Sequence, residues 1–394
     1  MLLKLHGRHL RALSPEISTS PFLGRISQNP ALPAAARSAE ILLVERGDEH
    51  LPQGFRAYLR RDDAAGGGLR DVYVLGDEFS YVAHGDVVRI DPARGAMSVL
   101  YRRSSSFNSI LVTERCDNYC VMCSQPPKER DDNWIVDELM DVVPLMSPDT
   151  PEIGITGGEP GLLGQRLIDL LERLRRFLPR TAVHVLSNGR AFASDDFAKA
   201  VARIQHPDLM LGIPLYSDLP EAHDYVLQAR GAYDQTLRGI LNLKRHGVRV
   251  ELRFVIHGDT FDGLPAFARF VARNLVFCDH VALMGLELMG FARSNLDAIW
   301  VDPLDYQEQL AEAVGILDRA GMRVSIYNSQ LCVLDPQLHR FAARSISDWK
   351  NRYFDECATC SVRERCGGFF ASAEVRRSRG IAPIPSTLQA CEQT

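Results

Sequence analysis

Three cysteines on one short loop, Cys116-Asp-Asn-Tyr-Cys120-Val-Met-Cys123, are the residues of this chain best placed to do chemistry. The apolar run Ser109-Ile-Leu-Val-Thr113 just before them reads as a buried strand, so one strand end delivers all three thiols. A C-x3-C-x2-C loop can hold three irons of a four-iron cubane. Such clusters ordinarily take four thiolates, so this spacing leaves one iron without a protein ligand. Zinc is the competing reading, but structural zinc sites usually pair two knuckles and close all four positions. One strand further on stands Gly157-Gly158-Glu159-Pro160, where glycines permit close backbone approach and a glutamate can accept hydrogen bonds. The bland alternative there is a tight turn with an exposed acid.

A second thiol group lies near the C-terminus, where Cys332 is followed by Cys357-Ala-Thr-Cys360-Ser-Val-Arg-Glu-Arg-Cys366. Four cysteines suffice to close a metal site, and tetrahedral zinc is a real rival to iron and sulfide there. Cys278, inside an apolar run, reads as a buried thiol. Cys391 is either free or a replacement for one of those four ligands.

These residues need a frame, and the middle of the chain alternates between two hydrophobic periods. Helices are expected over 135–146, 163–178, 194–204, 233–246, 264–274 and 303–320. Strands are expected over 152–156, 182–186, 209–215, 249–256 and 281–286. With the strand before Cys116 this makes six β/α units, a parallel sheet with right-handed crossovers and its site at the C-terminal strand ends. The expected class is therefore α/β, a partial (β/α)6 TIM barrel. Ahead of it, short pieces at 71–75, 81–83, 86–90 and 97–101 read as a small β-rich barrel or sheet. Gly66-Gly67-Gly68, Gly85-Asp86 and Asp91-Pro92-Ala93-Arg94-Gly95 are its turn signals. That unit serves as cover or as a peptide-binding edge. The first forty residues, basic and interrupted by Pro15, Pro21, Pro30 and Pro33, read as an irregular arm rather than a transit peptide. The expected divisions are 1–40 arm, 41–105 β-rich, 106–327 barrel and 328–394 cysteine-rich extension.

With 394 residues, 46% of them hydrophobic, the chain can bury a large core. Its net charge of -5 makes nucleic acid and anionic membrane poor default partners. No apolar run approaches the about eighteen residues of a spanning helix. Nine cysteines in a chain without a secretory apolar region point to a reducing, cytoplasmic setting and to metal ligation rather than disulfides.

The cysteine loop resembles the signature of radical S-adenosylmethionine (SAM) enzymes, and the resemblance runs through Gly157-Gly158-Glu159-Pro160 and along the β/α series to about Tyr327. It departs at Met122, where an aromatic residue is usual; a large apolar side chain can still cover the cluster. Within the superfamily, the run from Cys116 to Pro127, Pro214-Leu-Tyr-Ser217 with His223-Asp224-Tyr225, and the cysteine-rich end are similar to the maturase of the His-Xaa-Ser peptide-modification system.

The resemblance implies a [4Fe-4S] cluster on Cys116, Cys120 and Cys123, with SAM chelating the open iron and cleaved to a 5'-deoxyadenosyl radical. It implies that Gly157, Gly158 and Glu159 contact the methionine amino group. Ser187, Asn188 and Ser217 would meet ribose and carboxylate, and the Met284 segment would meet adenine. Arg253 would grip the SAM carboxylate; its alternative is a salt bridge to Glu251 or Asp208. An auxiliary [4Fe-4S] cluster on Cys332, Cys357, Cys360 and Cys366 is implied, with zinc as the rival. Tyr216, His223 and Asp224 are candidates for substrate handling. Implied partners are a precursor peptide, a reducing donor such as flavodoxin or ferredoxin, and a partner maturase. Two other readings stay open: a small-molecule substrate, or a non-catalytic electron-transfer or recognition scaffold.

Overall fold

A computed structural model describes residues 5–45, 51–64, 68–344 and 352–386; Gly66, Gly67 and Cys391 lie outside them. Contacts divide the chain into two units. One comprises 1–110, 134–153 and 172–182, the other 111–133, 154–171 and 183–394.

The first sheet has eight strands: β1 (His6–Gly7), β2 (Arg11–Ala12), β3 (Phe22–Ser27), β4 (Glu40–Val44), β5 (Ala57–Arg60), β6 (Val72–Val74), β7 (Val87–Asp91) and β8 (Ala96–Tyr101). They pair in the order β1-β8-β7-β3-β4-β5-β6-β2. β3 runs parallel to β4 and antiparallel to β7. In β4, Ile41 and Leu43 join the main core with Ile26, Leu59, Phe79, Val88 and Met97, while Leu42 and Val44 meet Phe55, Tyr58 and Val72 in a second cluster. Apolar contacts on both faces explain why this strand reads as an unbroken hydrophobic run.

The stretch expected as an irregular arm supplies β1, β2 and β3. Pro21 and Pro30 stand outside Phe22–Ser27, so no ladder donor is lost, and Phe22 and Ile26 point to the core. Residues 81–83, expected as a strand, form a turn. Val82 N–H donates to Phe79 C=O at 3.0 Å and Ala83 N–H to Asp86 Oδ2 at 3.0 Å, local bonds that compete with a ladder.

The second sheet orders β9 (Phe107–Leu111), β10 (Glu152–Thr156), β11 (Ala182–Leu186), β12 (Leu209–Pro214), β13 (Arg249–Ile256), β14 (His280–Gly285) and β15 (Val324–Tyr327) as neighbours in sequence order. The pairs from β11 to β15 are parallel. Consecutive strands lying side by side in one direction, joined by helices, make the curled half-barrel expected from the alternating pattern. It has seven strands, however, and β15 is the addition. The helices are α1 (Ala34–Arg37), α2 (Asn133–Val142), α3 (Gln165–Phe177), α4 (Asp195–Arg203), α5 (Pro220–Leu227), α6 (Ala232–Arg245), α7 (Leu264–Asn274), α8 (Gly290–Ser294), α9 (Leu296–Ile299) and α10 (Gln307–Arg319). Among the described residues, no helix is long and apolar enough to cross a membrane.

Candidate active site

The cysteine loop follows β9 and is clamped from several sides. Asp132, fully buried, accepts from the Thr113 hydroxyl at 3.0 Å, from the Glu114 N–H at 2.5 Å and from Arg115 Nε at 3.1 Å, which fixes the exit from the strand. Tyr119 and Val121 donate their N–H groups to Leu227 and Val226 C=O, at 3.1 and 3.0 Å, so the last turn of α5 is the loop's second strap. Phe291 N–H donates to Cys123 C=O at 2.8 Å, and Asn295 Nδ2 to Val121 C=O at 2.8 Å. Arg190 reaches Asp117 C=O at 2.8 Å and Asn118 Oδ1 at 2.6 Å. Met122 turns inward against Tyr216, Val226, Leu227 and Ile299. A large apolar residue there fills core.

These straps bring the three thiols within each other's field. Burial pushes Cys116 up to about 12, opposed by the Asn118 N–H and reinforced by Glu159, Asp117 and Cys123. Cys120 is raised by burial and then by the charges of Cys123 and Cys116, and Cys123 by burial. Thiols pressed together in this way become thiolates only with a cation among them, which is the demand an iron cluster meets. The buried amide nitrogen of Asn118 lacks a partner, leaving a hydrogen-bond donor in the loop wall. Among the described residues, no three His, Cys, Asp or Glu side chains gather as tightly as one metal ion requires; thiolates of a cubane sit on separate irons and need no such convergence. The donor set fits the cubane.

Gly157 and Gly158 follow β10. A Cβ on either would strike the backbone of Thr113 or Arg115, so only glycine lets this turn lie against the strand that carries the cysteines. Glu159 is 1% exposed, which removes the reading of an exposed acid. Its Oε1 accepts from Gly161 N–H at 2.6 Å and from the Ser187 hydroxyl at 2.7 Å, and its Oε2 from Asn188 N–H at 2.5 Å. A carboxylate has about four acceptor positions, so one remains, on Oε2. Burial raises the carboxyl to about 7 against these hydrogen bonds, with the Asp117 charge adding to the rise.

The other expected ligand-facing residues have chain partners. Asn188 Nδ2 donates to Asp117 Oδ1 at 2.6 Å, and the Ser217 hydroxyl accepts from Leu219 N–H at 3.0 Å. Arg253 takes the salt-bridge alternative: Nη1 meets Glu251 Oε1 at 2.6 Å, and Nη2 meets Met284 Sδ at 3.1 Å. Asp208 pairs instead with Arg249. Tyr216 is buried and raised by that burial, then by the Cys120 charge, against Arg253. His223 and Asp224 do not face a mouth. His223 is fully buried and accepts the Tyr216 N–H at 3.2 Å, with burial lowering it to about 4. Asp224 accepts from Gly231 and Tyr233 N–H groups at 2.5 and 2.8 Å, capping α6. Sequence reading missed Asp117, Asp132 and Arg190. Asp132 stands in an acidic run before a helix and resembles an ordinary cap.

The four C-terminal cysteines lie within each other's electrostatic reach, though among the described residues no three of them converge as one metal ion requires. Burial raises Cys332, and the charges of Cys366 and Cys357 add to it; Cys357 likewise feels Cys366 and Cys360. Backbone N–H groups point at the sulfurs, Gly368 to Cys366 at 3.5 Å and Ile384 to Cys360 at 3.4 Å. Cys278 is buried, as expected.

Residues 110–271, which hold the cysteine loop and the buried Glu159, match the Radical SAM superfamily. Over those residues the chain is similar to a radical SAM domain. Its fold is shared with anSMEcpe bound to AdoMet, at TM-score 0.51 and 13% identity over 73% of this chain and 94% of that one. SuiB of Streptococcus suis bound to S-adenosylmethionine aligns at TM-score 0.46 and 13% identity, over 57% of this chain and 51% of that one. The Fe-coproporphyrin III synthase of Methanosarcina barkeri is 27% identical over 168 residues, 39% of this chain and 38% of that protein. The chain thus spans about half of SuiB and about two fifths of the synthase.

Proposed function

We propose that this chain is a radical SAM maturase that modifies a ribosomally made, His-Xaa-Ser-type peptide in the cytoplasm. The observation that carries the radical chemistry is the clamped loop, which holds Cys116, Cys120 and Cys123 together beside the buried carboxylate of Glu159. When bound, the cluster supplies the electron that splits the SAM sulfonium and yields a 5'-deoxyadenosyl radical. The chain's own residues do the rest. The three thiolates hold the cluster, Glu159 offers its last acceptor position to the methionine ammonium, and Arg253 swings its guanidinium to the carboxylate. Ser187 and Asn188 keep Glu159 in place, while Met284 and the end of β14 would meet adenine.

The peptide substrate is supported by the run Cys116 to Pro127, by Pro214-Leu-Tyr-Ser217 and by the cysteine-rich end. Cys332, Cys357, Cys360 and Cys366 would hold an auxiliary [4Fe-4S] cluster, the N–H groups on their sulfurs being the kind that tune such a centre. A flavodoxin or ferredoxin would deliver the electrons.

Anaerobic reconstitution with iron, followed by SAM and reductant, should release 5'-deoxyadenosine, and Cys120→Ala should abolish it while the tail keeps its own iron. Wild-type protein with full iron content and no product would defeat the assignment. Co-expression with a short neighbouring peptide and fragmentation mass spectrometry separates a peptide from a small-molecule substrate. A mere scaffold would bind no SAM and would not depend on Glu159.

A further inference from the structure

Inside the half-barrel, one face of four strands carries charge. Glu251 and Arg253 lie on β13, His184 on β11, His280 on β14 and Ser325 on β15. Glu251, 5% exposed at its side chain, is the hub. His280 Nδ1 lies 2.6 Å from Glu251 Oε2, and His280 Nε2 lies 2.9 Å from the Ser325 hydroxyl. Burial opposes ionisation of Glu251, but the His280 bond and the charges of Arg253, His184 and His280 outweigh it and hold the carboxyl at about 2. An ionised carboxylate only accepts, so His280 donates at Nδ1. On the other oxygen, Oε1, two groups converge: Arg253 Nη1 at 2.6 Å and His184 Nε2 at 3.5 Å. The arginine has the hydrogen bond, and the buried His184 Nε2 has none. Gly212 on β12 makes room for both, since a Cβ there would stand 2.8 Å from His184 Nε2 and 3.0 Å from Arg253 Cδ.

A buried polar nitrogen without a partner costs stability. Its position beside an oxygen already held by an arginine explains what it is for. We infer that His184 is a positioning residue that takes Glu251 Oε1 when Arg253 is drawn to an anionic ligand, the SAM carboxylate, so that this buried oxygen is never left unpaired. The inference rests on the proposed role of Arg253. His280 and Ser325 hold the other oxygen still throughout the exchange. The imidazole is neutral before the exchange, because burial lowers it to about 4 against the pull of Glu251, with Arg253, His280 and Arg249 adding to the lowering. It donates through a neutral Nε2–H.

The test is calorimetric titration of the reconstituted protein with SAM, paired with thermal melts without it. Since His184 Nε2 bonds nothing in the free protein, His184→Leu should melt at or above the wild-type temperature yet bind SAM about tenfold more weakly. His184→Gln, which keeps an N–H donor, should restore the affinity. In an Arg253→Ala background the leucine change should have no further effect, because the oxygen is then never exchanged. Unchanged affinity in His184→Leu, parallel loss of affinity and melting temperature, or additive effects with Arg253→Ala would each overturn the inference while leaving the radical SAM reading intact. Absence of SAM binding in the wild type would overturn both.

Discussion

Glu159 is asked to be buried and ionised at once, and the two demands meet near neutrality. Burial raises its carboxyl from 4.5 to about 7, against hydrogen bonds from Asn188, Ser187 and Gly161. A folded value above the unfolded one means that the stability it confers is full below pH 4.5 and is lost as pH climbs through about 7. That rise corresponds to about 3 kcal/mol. Urea midpoints of the metal-free protein should therefore fall between pH 5 and pH 8, and Glu159→Gln should flatten the fall. Binding of SAM should run the other way, since an ionised carboxylate holds an ammonium more tightly than a neutral acid or an amide does, so affinity should increase through pH 7 and fall in the glutamine variant. Cys116, Cys120 and Cys123 were legible as a group because one short loop delivers all three, and Glu159 because the family resemblance gave its turn a role that spacing alone does not. Arg253 was legible only as a dilemma: a charge in an apolar strand needs a partner, and geometry chose Glu251 over Asp208. His223 and Asp224 sit in a segment that reads as a loop, and nothing in their types distinguishes a substrate contact from the helix cap and core ring they form.

Elements with strong periodicity and clear stops appear where the sequence placed them. Strands β10, β11 and β13 and helix α7 match residue for residue, because turn residues or helix caps bound each of them. β15 was missed because Val-Ser-Ile-Tyr is too short to show alternation, and α5 because Pro220 reads as a breaker although it opens the helix. Helix α4 shows both ends of the rule. Ser194 caps its start, with the hydroxyl accepting from Phe197 N–H at 3.4 Å. Beyond its end, the exposed Gln205 is held at φ 50°, a left-handed conformation that glycine adopts without strain. Chemical denaturation should show Ser194→Ala destabilised by about 1 kcal/mol and Gln205→Gly stabilised by up to about 1 kcal/mol. Equal and opposite shifts on one helix would mean that local cap energies reach the global transition.

At the scale of the molecule, the first sheet manages its edges with the same few residues. Its outermost strands are β1 and β2, two residues each, and only residues 8–10 separate them in sequence. Three connecting residues span at most about 14 Å, so the two edges of an eight-stranded sheet are tied close together and the sheet curls around the core of Ile26, Leu59, Phe79 and Met97. His6 pairs with Ser98 on β8 and Arg11 with Val74 on β6, so the start of the chain covers both of the longer strands that would otherwise be open. Neither pairing was legible, because two-residue strands carry no period and the basic, proline-interrupted composition reads as unstructured. Exposed strand edges promote association between copies. Removing residues 1–13 should therefore leave β6 and β8 bare, and the truncated protein should shift from its native mass to larger species in light scattering, increasingly with concentration. Restoring 5–13 alone should reverse the shift. If the truncated chain instead keeps its native mass and gains affinity for the co-expressed peptide, the bared edge is a recognition strand, and the small β-rich unit acts on the substrate rather than covering a core.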